Sequence, residues 1–222
     1  MAPPLTAENL LELVWQRLVP RYPDAEPLLA YRSCFELLCA VILSAQCTDD
    51  MVNKVTPALF ARWPDASSMA AADIGELEAA VKPTGFYRNK ARHLKACAAV
   101  LESRYGGAPP ASIEELVGLP GVGRKTANLV ASACSGVPGI IADTHVIRLC
   151  ARLGLVPKAD PDLVERRIAA AAPAARWTAL SHALNRHGKF VCTARKPACA
   201  ACVLSDACPS SASFGNKAAS NA

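Results

Sequence analysis

Aromatic side chains make up only 5% of this 222-residue chain. Long apolar runs are missing as well. The longest, Leu37–Leu43, falls far short of the roughly 20 residues a membrane-crossing helix needs, so no membrane association is expected. No stretch sustains apolar–polar alternation with a period of two, which argues against a sheet. No unit recurs at solenoid length. The opening residues Met-Ala-Pro-Pro-Leu-Thr lack the charged-then-apolar pattern of a secretory leader. Six of the ten cysteines, Cys34, Cys39, Cys47, Cys97, Cys134 and Cys150, are scattered singly through helical patterns. They therefore read as buried, reduced thiols of a cytosolic protein rather than as a disulfide framework.

What the chain does hold is alanine and leucine. Apolar residues reach 52%, with few β-branched runs, so helix is the default. The length allows one large domain or two small ones. A first helix is expected from Thr6, as N-cap, to about Leu18, with Leu10, Leu13, Val14 and Leu18 on one face. Ser33–Ala45 is apolar nearly all round, so a central, buried helix is expected there. Further helices are expected near 49–61, 70–81, 87–104, 112–117, 124–135, 143–154, 160–172 and 175–188. The Ser-, Ala- and Asn-rich tail, 210–222, is expected to be disordered. Charge is uneven: the formal net charge is −1 over residues 1–140 and +6 over residues 141–222. A basic half fits a polyanion partner and equally an ordinary solvated surface.

Four cysteines stand apart from the rest. Cys192, Cys199, Cys202 and Cys208 are spaced C-x6-C-x2-C-x5-C, close enough to face one inorganic centre. Thiolates are soft ligands, suited to an iron–sulfur cluster or to zinc. Structural zinc sites more often show two C-x2-C pairs, and here there is one, so the spacing favours the cluster.

The segment Leu119-Pro-Gly121-Val122-Gly123-Arg124-Lys125-Thr-Ala is the second signal. Pro120 fixes one backbone angle, and the two glycines open conformations closed to other residues. A tight turn feeding a helix would leave bare N–H groups at the helix start, an anion site that suits phosphate and reads no base sequence. Lys125 falls in the first turn of that helix. There the helix dipole and Arg124 both disfavour a charged ammonium, leaving an amine that can act as a nucleophile. A solvated surface lysine is the other reading. Asp143 precedes Thr144 and His145 and suits an N-cap. It also suits a carboxylate that stabilises an oxocarbenium-like transition state or accepts a proton from an amine. The Gly85-x-x-Arg88-x-Lys90-Ala91 segment echoes the Gly121 turn.

Taken together, L-P-G-V-G-R-K-T-A, an Asp-Thr-His about twenty residues on and C-x6-C-x2-C-x5-C resemble the endonuclease III family. So does the segment Phe35-Glu-Leu-Leu…Leu43-Ser-Ala-Gln46-x-Thr-Asp49. These are helix-hairpin-helix DNA glycosylase/lyases. The resemblance implies an all-α fold of two domains. A six-helix barrel over 28–140 would carry the hairpin, and 1–27 with 141–209 would hold a [4Fe–4S] cluster on Cys192, Cys199, Cys202 and Cys208. Lys125 and Asp143 would face each other across a cleft. The implied function is base excision repair of duplex DNA carrying oxidised pyrimidines or abasic sites. A monomer would remove the base and cleave the strand 3′ to the abasic site through a lysine Schiff base and β-elimination. It would work in the cytoplasm, associated with the nucleoid through DNA. Gly121, Val122, Gly123 and Arg124 would contact phosphate, with Thr144, His145, Arg195 and Lys196 also on the DNA. Gln46 would fill the hole left by the flipped base. Phe86 stands where the family usually inserts an aliphatic side chain. Adenine and mismatch-specific thymine glycosylases of the same superfamily fit less well, because they lack the lysine at the Lys125 position. A non-catalytic DNA-binding module would have no use for Lys125 and Asp143 together.

Overall fold

A computed structural model of the chain describes residues 5–23 and 26–215. Among these residues every regular element is a helix. The chain divides into two compact units, Pro27–Val137 and the pairing of Met1–Glu26 with Pro138–Ala222.

The unit Pro27–Val137 is built around one buried helix. Its elements are α2 (Cys34–Leu43), α3 (Asp49–Arg62), α4 (Ala66–Ala71), α5 (Ile74–Val81), α6 (Tyr87–Tyr105), α7 (Ile113–Val117) and α8 (Arg124–Ser135). Every α2 residue from Phe35 to Leu43 is buried, because the helix is apolar on all sides and α3, α6 and α8 pack around it. Each fully buried leucine or isoleucine contributes about 1.5–3 kcal/mol, against about 0–1 for an exposed ion pair such as Arg62–Glu76. The apolar seam therefore decides this packing. Glu36, the one charge in α2, is buried but bonded by Arg32 at 2.7 Å.

The other unit packs α1 (Ala7–Leu18), α9 (Thr144–Arg152), α10 (Pro161–Ala171) and α11 (Trp177–Phe190), with a short α12 (Ser211–Gly215). Thr6 caps α1 as expected, and Leu10, Leu11, Val14 and Leu18 form its buried face; Leu13 is only partly covered. Helices α9 and α11 approach closely at one point. A Cβ on Gly188 would sit 2.9 Å from the His145 carbonyl oxygen, so only glycine lets the two backbones meet there.

Three expectations need correction. The single helix near 70–81 is two helices, α4 and α5, because the Asp73 carboxylate accepts from Glu76 N and starts α5 anew. The expected disordered tail is ordered through Gly215. Ser210 Oγ donates to the Arg152 carbonyl at 2.9 Å, and the Phe214 ring lies under the Arg152 guanidinium, while 216–222 fall outside the described residues. The six scattered cysteines are not all free thiols: Cys34 and Cys134 form a disulfide, and Cys47 is only half-buried. Cys39, Cys97 and Cys150 are buried as expected, and burial pushes the Cys97 and Cys150 thiols up to about 12, which makes them unreactive.

The disulfide joins the start of α2 to the end of α8 and closes a loop of sequence separation 100. A cross-link over so long a loop removes entropy from the unfolded chain and stabilises by about 2–4 kcal/mol. Replacing both cysteines (Cys34→Ser with Cys134→Ser) should lower Tm by roughly 4–16 °C in scanning calorimetry. An unchanged Tm would mean that the bond contributes nothing to the folded state.

Candidate functional site

The glycine turn is built by packing as much as by conformation. Leu116, Leu119 and Val122 are buried, which fixes α7 and the turn that follows it. Gly121 lies at φ +78°, and a Cβ there would come within 2.7 Å of the His93 side chain. Two independent constraints therefore demand glycine at that position. Gly123 begins α8 without a side-chain cap. A Cβ on it would meet open space, so its bareness leaves room for an outside group. Helix geometry gives the first-turn N–H groups of α8 no acceptor within the helix. Gly121, Gly123, Arg124 and Lys125 are all exposed at this end. Val122 is not: its side chain is buried and its N–H donates to the Leu119 carbonyl at 3.1 Å, so it anchors the turn from inside.

Gln46 and Phe86 share a feature that no propensity rule reveals. Among the described residues they are the two non-glycine residues with positive φ, at +51° and +48°. Such residues are uncommon and tend to occur where function requires the strain. Gln46 is exposed in the turn between α2 and α3. Phe86 caps α6 with its ring 64% exposed.

Asp143 belongs to the other unit and caps α9. Its Oδ1 accepts from His145 N at 2.9 Å and from Val146 N at 2.8 Å. Its Oδ2 accepts from Asn185 Nδ2 on α11. Both oxygens are thus held, and the carboxylate has one orientation. Thr144 is exposed beside it, and the His145 ring lies 3.2 Å from the Arg148 guanidinium.

The four thiols Cys192, Cys199, Cys202 and Cys208 line one cavity with Leu149, Arg152 and Phe214. Among the described residues no group of three His, Cys, Asp or Glu side chains converges as a single metal ion requires. Four soft thiols around one cavity are a donor set that a polynuclear iron–sulfur cluster takes. Donors already point at these sulfurs. Arg152 Nη1 lies 3.2 Å from Cys192 Sγ, and Leu204 N lies 3.4 Å from Cys202 Sγ. His187 Nε2 lies 3.2 Å from Cys202 Sγ. Burial pushes His187 down to about 4, so the ring is neutral near pH 7. On its other side, His187 Nδ1 lies 3.4 Å from the Tyr22 hydroxyl. Burial also pushes the Cys202 and Cys208 thiols up, so binding iron must release their protons. The loop that carries Arg195 and Lys196 is pinned from behind. Arg152 donates to the Thr193 and Ala194 carbonyls at 2.8 and 2.7 Å, and Ala198 N donates to Val191 O at 2.9 Å. Arg195 and Lys196 are exposed on its outer side.

The sequence profile of the HhH-GPD superfamily base excision DNA repair proteins matches residues 39–173, and that of the iron–sulfur binding domain of endonuclease III matches residues 192–208. Endonuclease III of Synechocystis sp. is 46% identical over 85% of this chain and 87% of its own length. Endonuclease III of Bacillus subtilis is 41% identical over 89% and 91%. The chain belongs to the endonuclease III family. It is a DNA glycosylase/AP lyase of base excision repair, it binds DNA, and it carries a [4Fe–4S] cluster, with the iron–sulfur domain over residues 192–208. A solved non-covalent endonuclease III–DNA complex superposes with a TM-score of 0.90 at 38% identity, covering 96% of this chain and 99% of that one. No described helix is long and apolar enough to cross a membrane.

Several residues that matter here escaped sequence reasoning. Asn185 on Asp143, Arg148 on the Cys192 carbonyl at 3.2 Å and Arg152 on the cluster loop act across about forty residues of sequence.

Gly121→Ala should lower Tm by roughly 2–8 °C, from about 1–2 kcal/mol of left-handed strain and the His93 clash. Gly123→Ala should not, and equal losses in thermal melts would show that the turn is not the constraint. Cys199→Ser should yield colourless, iron-poor protein of lower Tm; a brown variant with full iron content would remove Cys199 from the ligand set.

Proposed function

We propose that this glycosylase/lyase acts, as a monomer in the cytoplasm, on oxidised pyrimidines in duplex DNA and cleaves the strand through a Schiff base on Lys125. The observation that carries this reading is Lys125 itself. It is an exposed amine in the first turn of α8, beside a glycine turn whose outer face is open to phosphate. A trapped covalent intermediate between DNA and an endonuclease III that is 39% identical supports it.

A pyrimidine whose ring has been saturated is no longer flat, stacks less well and is cheaper to extrude from the duplex. In this proposal Phe86 enters the stack and Gln46 takes the vacated space. Lys125 Nζ attacks C1′, the bond between C1′ and the base breaks, and the base leaves with the electron pair. The carboxylate of Asp143 stabilises the positive charge that develops on the sugar and accepts a proton from the amine. The nitrogen lone pair then opens the sugar ring: the C1′–O4′ bond breaks, O4′ leaves as a hydroxyl after taking a proton, and the C1′ imine that forms acidifies the 2′ proton. Loss of that proton expels the 3′ phosphate, and water releases the lysine. The bound cluster supplies structural support, holding the loop from which Arg195 and Lys196 reach phosphate.

Borohydride trapping on a duplex with one thymine glycol tests the proposal. Wild type should give a covalent adduct and Lys125→Ala none. Lack of an adduct on both that duplex and one with a preformed abasic site would remove the Schiff-base mechanism.

A further inference from the structure

The turn that presents Phe86 is held from beneath by a buried cation. Lys90, in the first turn of α6, is only 4% exposed, and its Nζ donates to the Thr84 carbonyl at 2.6 Å. Thr84 is itself buried and donates its hydroxyl to the Val81 carbonyl at 2.8 Å. Lys90 N also donates to the Phe86 carbonyl at 3.1 Å. One residue thus grips both sides of a two-residue turn in which Gly85 lies at φ +70° and Phe86 at φ +48°. An aromatic residue does not adopt that conformation unless its surroundings impose it.

Burying an ammonium is costly, and a methionine would fill the same volume without the desolvation penalty. Burial accordingly pushes the Lys90 pKa down, and the nearby Cys47 opposes that push. Cys47 directly follows Gln46, the other left-handed residue. A charge-assisted hydrogen bond is stronger and more directional than a neutral one, which suits a turn that must hold its shape against a base stack.

We infer that Lys90 is a positioning residue for base extrusion: it locks the Thr84–Phe86 turn so that the Phe86 ring stands ready to enter the duplex. This rests on the reading that Phe86 enters the stack. Lys90 acts through Phe86 and touches no reacting atom. It is therefore needed where a base must be unstacked and dispensable where the base is already gone.

Single-turnover rates on two duplexes, one with thymine glycol and one with a preformed abasic site, test the inference. Lys90→Met should slow base excision by about tenfold or more, as expected for loss of a charge-assisted hydrogen bond, and leave abasic-site cleavage within about twofold. Phe86→Ala should slow excision as well. The double variant should be no slower than the slower single one, because both remove the same event. Lys90→Arg, which keeps charge and donors, should recover part of the excision rate. If Phe86→Ala excises normally, the reading of Phe86 fails. If Phe86→Ala is slow and Lys90→Met is not, or if Lys90→Met slows both duplexes equally, the Lys90 inference is overturned. Should Lys90→Met not fold, Lys90→Gln is judged by the same ratio of the two rates.

Discussion

Burial of α2 on every side organises the unit to which it belongs. A helix with one apolar stripe can pack on one layer. A helix apolar all round must be surrounded, and α3, α6 and α8 do the surrounding. Each of the chemically distinctive positions of that unit hangs from this arrangement. The chain leaves α2 directly into the Gln46 turn. Lys90 and the Phe86 turn ride on α6, and Lys125 rides on α8. Close-packed interiors transmit small changes in volume, so α2 sets the spacing of all three. The disulfide from Cys34 to Cys134 fastens the same helix to α8 at the end away from the lysine.

In the other unit a single short helix does two jobs. The first residue to shape α9 is Asp143, whose carboxylate is aimed by two backbone N–H groups and Asn185. Further along the same helix, Arg148 and Arg152 donate to the carbonyls of Cys192, Thr193 and Ala194. The catalytic carboxylate of the proposal and the loop closed by iron are therefore fixed to one rigid element. Guanidinium groups suit this task because their planar fork satisfies several carbonyls at once. Hydrogen bonds from Arg152 and Leu204 N to the sulfurs also spread the negative charge that thiolates bring to this place.

Much of this was legible from local rules. Thr6, Ser33, Thr48 and Asp143 cap their helices as short polar residues before apolar periodicity should. The Gly121 turn was legible because left-handed backbone strongly selects glycine, and the thiolates because soft ligands cluster in sequence. Asp73 carried the cap signal that splits α4 from α5, but the alanines just before it hid it in a continuous helical pattern. Other features depend on distance through space. Cys34 and Cys134 look like two unrelated core thiols until their helices are packed. Lys90 sits between Arg88 and Arg92, which are exposed, and reads as a third solvated charge; only the fold turns it inward. Gln46 and Phe86 were singled out by resemblance, yet their shared strain is visible only in the backbone.

The short helix α12 carries a consequence for how the protein is handled. Ser210 and Phe214 lie over Arg152 and line the cavity of the four thiols. A chain cut at Pro209 would retain all four cysteines yet lose a ring that lines one side of that cavity. Its iron and sulfide would then be open to water and dioxygen, so shelf life in air, more than folding, is where such a shortened protein would differ.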